Sequence, residues 1–212
     1  MNKTQIKELY TLLSAERPDP KSELNFSTPF ELLVAVMLSA QATDKSVNLA
    51  TEKLFADANT PQAILALGQE GLENYIRTIG LYRSKAKHVL AACKILCEKH
   101  SGSVPRDYES LVSLPGVGSK TAKVVLNVAF GEPTIAVDTH IFRVANRTGL
   151  APGNSPDEVS EKLSKVTPPE FLKNAHHWLL LHGRYVCTSR APHCEQCPFC
   201  SFCPKNMTDD KL

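Results

Sequence analysis

At 212 residues, with 42% hydrophobic and 22% charged side chains, the chain is long enough to bury one core or two small ones, and its composition excludes wholesale disorder. A net charge of +2 and a pI near 8.1 exclude indiscriminate attraction to polyanions, so a nucleic-acid partner would need positive charge gathered on one face. The longest uncharged apolar stretch, Leu32 to Thr43, is too short to span a bilayer, and no secretion signal is read at the start, which predicts a cytoplasmic protein that avoids membranes.

Helix-start signals recur along the chain. In TPFE, Thr28 is placed to cap a helix, Pro29 to open it and Glu31 to close a capping box, and the apolar run Leu32 to Leu38 follows at once. Asp44 precedes KSVNLATEKLF as the next cap, and Thr60-Pro61 precedes QAILALG, which predicts a helix ending at Gly68. IRTIGLYRSKAKHVL, from Ile76, echoes LVSLPGVGSKTAKVVL, from Leu111, because each reads as helix, glycine turn, basic residue, helix. Two such units suggest a helical scaffold presenting turns to one partner surface, although any helical protein has turns of this kind. Cys93 and Cys97 fall on an apolar helical stretch and are expected in the core. PTIAVDT is the best strand candidate, short and isolated. SPDE from Ser155 and TPPE from Thr167 repeat the helix-start grammar. The chain is therefore predicted to be all-α, with roughly eight to ten helices joined by short loops.

The densest turn is LPGVGSKTAKVVLN, where Gly116 and Gly118 precede Lys120. A nucleotide-binding P-loop needs glycine directly before the lysine and again six positions before it, and those positions hold Ser119 and Leu114. The better reading is helix, tight hairpin, helix. Glycines let backbone N–H groups approach a phosphate, and the following helix N-terminus adds partial positive charge, which holds a DNA backbone without reading its sequence. A plain helix–helix turn is the simpler alternative. Lys120 falls in the first turn of the second helix, where the macrodipole disfavours a cation by about 0.3–1 kcal/mol, an odd place for a purely structural lysine. Phosphate clamp and nucleophile are both open to it.

VDTHIFRVANR places Asp138 after a short extended segment and before an amphipathic helix, so its first role is that of an N-cap. A capping carboxylate can also face a cleft. An amine and a carboxylate meeting there make a pair that can displace a leaving group at a sugar carbon, the lysine attacking while the aspartate accepts its proton or stabilises developing positive charge.

Five of the seven cysteines crowd the C-terminal end, where Cys187, Cys194, Cys197 and Cys203 give C-x6-C-x2-C-x5-C. An odd count argues against a disulfide framework and for metal ligation. Four thiolates this compact suit a [4Fe–4S] cluster, and zinc is the alternative. Cys197, Cys200 and Cys203 also form successive C-x2-C steps, so spacing alone does not settle the ligand set.

Together LPGVGSKTAKVVLN, VDTHIFRV and the cysteine spacing resemble the endonuclease III family of the helix-hairpin-helix superfamily, bifunctional DNA glycosylases and abasic-site lyases acting on oxidised pyrimidines. The likeness runs nearly end to end, through LNFSTPFELLVAVMLSAQATD and HHWLLLHGRYVC. It implies a two-lobed all-α fold with DNA between the lobes and a C-terminal [4Fe–4S] cluster loop. One lobe would be a six-helix barrel over 22–132, with the helix-hairpin-helix at about 108–130; the other would combine 1–21 with 133–212. It further implies Lys120 as the nucleophile at C1′ and Asp138 as its acidic partner, with β-elimination through a Schiff base. Gln41 and Leu81 match residues that fill the space left by an extruded base, Gly116 and Gly118 hold phosphate, and Arg190 and His193 meet the DNA backbone. Cys187, Cys194, Cys197 and Cys203 become the ligands of one structural cluster per chain. The partner is double-stranded DNA carrying damaged pyrimidines or abasic sites, bound by a monomer.

Two departures are visible. Ser119 stands where the family often has a basic residue, which puts one DNA contact in doubt, and Cys200 is an extra thiol that could compete as a ligand. One rival is the adenine-specific mismatch glycosylase family, which lacks the nucleophilic lysine, carries a glutamate in the helix matching LLVAVML and has an added C-terminal domain. Here that helix has no glutamate after Glu31. Another is a non-catalytic helix-hairpin-helix DNA-binding protein with a structural metal, which leaves Lys120 and Asp138 unexplained.

Overall fold

A computed structural model describes residues 1–205, among which ten α-helices and three short 3-10 turns occur and no strand. In chain order the first five helices are α1 (Lys3–Glu16), α2 (Pro29–Ser39), α3 (Asp44–Asp57), α4 (Pro61–Ile76) and α5 (Tyr82–His100). There follow α6 (Tyr108–Val112), α7 (Ser119–Phe130), α8 (Thr139–Thr148), α9 (Pro156–Val166) and α10 (Leu172–Tyr185). The chain divides into two compact units, one spanning 22–131 and the other joining 1–21 to 132–212.

The 22–131 unit is built around α2. Every residue from Phe30 to Leu38 is buried, as expected of a helix apolar on all sides, and α3, α5 and α7 pack against it. Its start follows the sequence signal with one shift. Thr28 Oγ1 accepts the Glu31 N–H at 3.1 Å, but the Glu31 carboxylate accepts from Ser27 N at 2.6 Å, one residue outside the usual box. Ser155 and Glu158 repeat this variant at α9, with Asn154 N as the donor. Thr43, not Asp44, caps α3, because its hydroxyl reaches Ser46 N and leaves Asp44 as the first helical residue. Helix α4 breaks at Gly68 (φ 64°), as the glycine suggests, yet the chain re-enters helix at once and runs on to Ile76.

The other unit gathers around α8 and α10. Gly183 allows their close approach, since a Cβ there would lie 2.9 Å from the His140 carbonyl oxygen. Helix α1 joins through aromatic packing: Tyr10 is fully buried, stacks on Phe171 at 5.6 Å and lies 6.5 Å from Trp178, whose indole N–H donates to Arg17 O. The Tyr10 hydroxyl bonds Thr167 Oγ1 at 2.8 Å. That bond explains why Thr167 does not cap a helix as TPPE suggests. Its side chain is engaged elsewhere, Pro169–Phe171 forms a 3-10 turn, and α10 starts only at Leu172. PTIAVDT is no strand: Ile135, Ala136 and Val137 are buried, and the Ile135 carbonyl accepts from Ser160 Oγ.

Candidate active site

Asp107 caps α6 through Ser110 N, and buried Leu111, Leu114 and Val117 anchor the turn into α7. Gly116 has φ 79°, and a Cβ there would sit 2.8 Å from His88 Cβ and 3.1 Å from Met37 Cε. Only glycine meets both demands. Gly116→Val is therefore expected to lower stability by about 2–4 kcal/mol, combining left-handed strain with overpacking, in urea denaturation. Gly118 is different. It caps α7 with ordinary dihedrals, and nothing lies within 4 Å of where its Cβ would stand, so the space before the helix is open. Among the described residues the Gly116 and Gly118 amides donate to no protein acceptor, an arrangement suited to an anion. Lys120 is exposed one residue into α7, and its ammonium makes no hydrogen bond or ion pair among the described residues.

Two further turns of the same unit carry Gln41 and Leu81. Both residues are left-handed, at φ 55° and 61°, and both are exposed; Leu81 is 65% exposed at the start of α5. A large apolar side chain held outward on strained backbone gains nothing for the core, which marks these turns as functional candidates. Lys85 connects them. It is buried, and its ammonium donates to Leu38 O at 2.9 Å, fixing the start of α5 to the end of α2 beside the Gln41 turn. Burial pushes its pKa down from the ordinary lysine value. Nothing local in the sequence announces that a carbonyl 47 positions away receives it.

Asp138, Arg190, His193 and the clustered cysteines belong to the other unit. Asp138 is half-buried and caps α8, Oδ1 accepting the Ile141 N–H at 2.9 Å. Two turns of α8 hold the segment around Cys187. Arg143 donates to Cys187 O at 2.9 Å and to Gly183 O at 2.7 Å, while Arg147 donates to Thr188 O and Ser189 O at 2.6 and 2.7 Å. These arginines, missed in sequence reading, set the path of the loop on which Arg190 stands exposed. His193 is also exposed and lies 3.6 Å from the Glu195 carboxylate.

Cys187, Cys194, Cys197, Cys200 and Cys203 all line one small cavity of about 30 Å³ that is partly open to solvent. Three of the five sulfurs have nitrogen neighbours. Arg147 lies 4.0 Å from Cys187 Sγ, His182 Nε2 lies 3.8 Å from Cys197 Sγ, and the Phe199 and Lys205 amides donate to Cys197 and Cys203. Burial pushes the Cys197 thiol up to about 12 and lowers His182 to about 4, with the Arg17 charge adding to the histidine shift. No three His, Cys, Asp or Glu side chains among the described residues converge as one metal ion requires. Cys93 is a core residue and Cys97 only half-buried.

Residues 34–169 match the model of the HhH-GPD superfamily base excision DNA repair proteins. Endonuclease III of Escherichia coli (strain K12) is 61% identical over 93% of each chain, and that of Haemophilus influenzae 60% over 93% of each. The fold matches a trapped endonuclease III–DNA covalent intermediate with a TM-score of 0.90, at 45% identity over 97% of each chain.

Proposed function

Because the chain belongs to the endonuclease III family of helix-hairpin-helix base excision repair proteins, we propose that it excises oxidised pyrimidines from double-stranded DNA and then cuts the strand 3′ to the abasic site. The observation that carries this reading is Lys120, an exposed amine without a partner, two residues beyond the second of two open backbone amides. The amides hold a phosphate beside the damaged nucleotide. Lys120 Nζ attacks C1′, the C1′–N bond to the base breaks, and Asp138 takes the proton that the ammonium must lose before attack. The sugar ring opens to a Schiff base on Lys120. Loss of a C2′ proton then expels the 3′ phosphate, and water releases the lysine. Gln41 and Leu81 occupy the space left in the duplex, and exposed Arg190 and His193 meet the backbone. The protein acts as a monomer in the cytoplasm; no helix among the described residues is long and apolar enough to cross a membrane.

The cysteine cavity is assigned to a [4Fe–4S] cluster held by Cys187, Cys194, Cys197 and Cys203. Four thiols in the compact spacing C-x6-C-x2-C-x5-C, gathered around one cavity, suit a cube-shaped cluster, and Arg147 stands beside the first of them. Such a cluster supplies the positive charge that buried thiolates require, and its role is to shape the loop bearing Arg190. The purified protein is expected to be brown, with iron and no stoichiometric zinc in elemental analysis.

The adenine-specific rival is disfavoured by Glu31. That carboxylate is buried and engaged with Ser27 N, so it serves the helix start. Incubation with a duplex containing thymine glycol tests the proposal. The expected product is a strand with a 3′ unsaturated aldehyde; an intact alkali-labile strand would remove the lyase step, and no release of base would remove the activity.

A further inference from the structure

From Cys194 onward a thiol recurs every third residue, at Cys194, Cys197, Cys200 and Cys203. Hydrogen-bonded turns share that period. Cys197 N donates to Cys194 O at 3.2 Å and Cys200 N to Cys197 O at 3.1 Å, with 3-10 turns at Cys194–Gln196 and Cys200–Phe202. The two turns are separate, with extended backbone at Cys197 between them, and together they bring Cys200 to the same side as its neighbours. Phe199, fully buried and 6.2 Å from the Phe202 ring, anchors the segment. Cys200 accordingly lines the same cavity as the other four and is half-buried as they are. Lys205 lines the same cavity.

We propose that Cys200 is a reserve ligand, able to close the fourth iron corner in place of Cys203. Cys200 opens the three-residue turn and Cys203 is the residue that follows it, and both line the same cavity, so exchange needs only local movement. The Fe–S bond to Cys203 breaks, one to Cys200 forms, and the Cys200 proton passes to the released Cys203 thiolate. Charge and cluster oxidation state are unchanged. The inference rests on the [4Fe–4S] assignment.

Iron and acid-labile sulfide per chain, with visible spectra, test it in the wild type, Cys200→Ser, Cys203→Ser and the double variant, all purified anaerobically. EPR after ferricyanide oxidation reports three-iron clusters. Cys200→Ser is expected to match the wild type, Cys203→Ser to keep more than half of the wild-type iron, and the double variant to lose nearly all of it. Loss in Cys203→Ser as complete as in the double variant, or a three-iron signal there, overturns the proposal, as does loss of iron in Cys200→Ser alone. Should Cys203→Ser be insoluble, the wild-type holoprotein is alkylated slowly and mapped by peptide mass spectrometry. Label shared between Cys200 and Cys203 supports exchange; label on Cys200 with Cys203 protected overturns it. Zinc in place of iron in the wild type defeats the cluster assignment and this inference together. Iron in the wild type with none in soluble Cys203→Ser defeats the reserve ligand only.

Discussion

Lys120→Gln yields no borohydride-trapped adduct on DNA containing an abasic site, and strand cleavage falls by about 10³-fold or more, as expected when a covalent route loses its nucleophile. Affinity for the same duplex falls by no more than about tenfold, the share of one cation among several backbone contacts. The side chain is exposed and makes no contact that folding needs, so the thermal midpoint is expected to stay near the wild-type value. Lys120→Arg separates the two roles left open by the sequence. Arginine preserves a phosphate clamp but cannot form a Schiff base. A clamp predicts an active Arg variant, whereas a nucleophile predicts one as inactive as Gln.

Asp138→Asn is the second large effect. Asparagine caps a helix as well as aspartate does, so the bond from Ile141 N to the position-138 side chain survives and stability changes by less than about 1 kcal/mol. What the variant loses is the carboxylate proposed to accept a proton. Turnover on thymine glycol is expected to fall about 10²–10⁴-fold at unchanged DNA affinity, measured under single-turnover conditions. Asp138→Ala adds the loss of the cap, about 1 kcal/mol of stability. An Asn variant with wild-type turnover would leave Asp138 as a cap alone.

Much of this is legible in the sequence because it is local. Thr28-Pro29 and Ser155-Pro156 start helices where read, since the capping hydroxyl and the amide it serves lie three residues apart. The glycine demand at Gly116 is legible in kind, although its partners His88 and Met37 are not. Misreadings arise where a distant partner intervenes. Thr167 has the grammar of a cap, but Tyr10 takes its hydroxyl across 157 positions. Lys85 looks like a solvated lysine until Leu38 O is found beside it in the core. PTIAVDT has strand composition, yet no strand accompanies it among the described residues. Arg143 and Arg147 face the cysteine loop because α8 packs on α10, a tertiary fact with no local signature.

The most direct measurement is the site of covalent attachment in the unaltered protein. The chain is trapped with borohydride on a duplex holding one abasic site, digested with protease and nuclease, and its peptides are sequenced by mass spectrometry. The sugar remnant is expected on Lys120. A remnant on Lys123, on the Met1 amino group or on any other amine, or the absence of any adduct while cleavage proceeds, would contradict the assignment of Lys120 as the nucleophile.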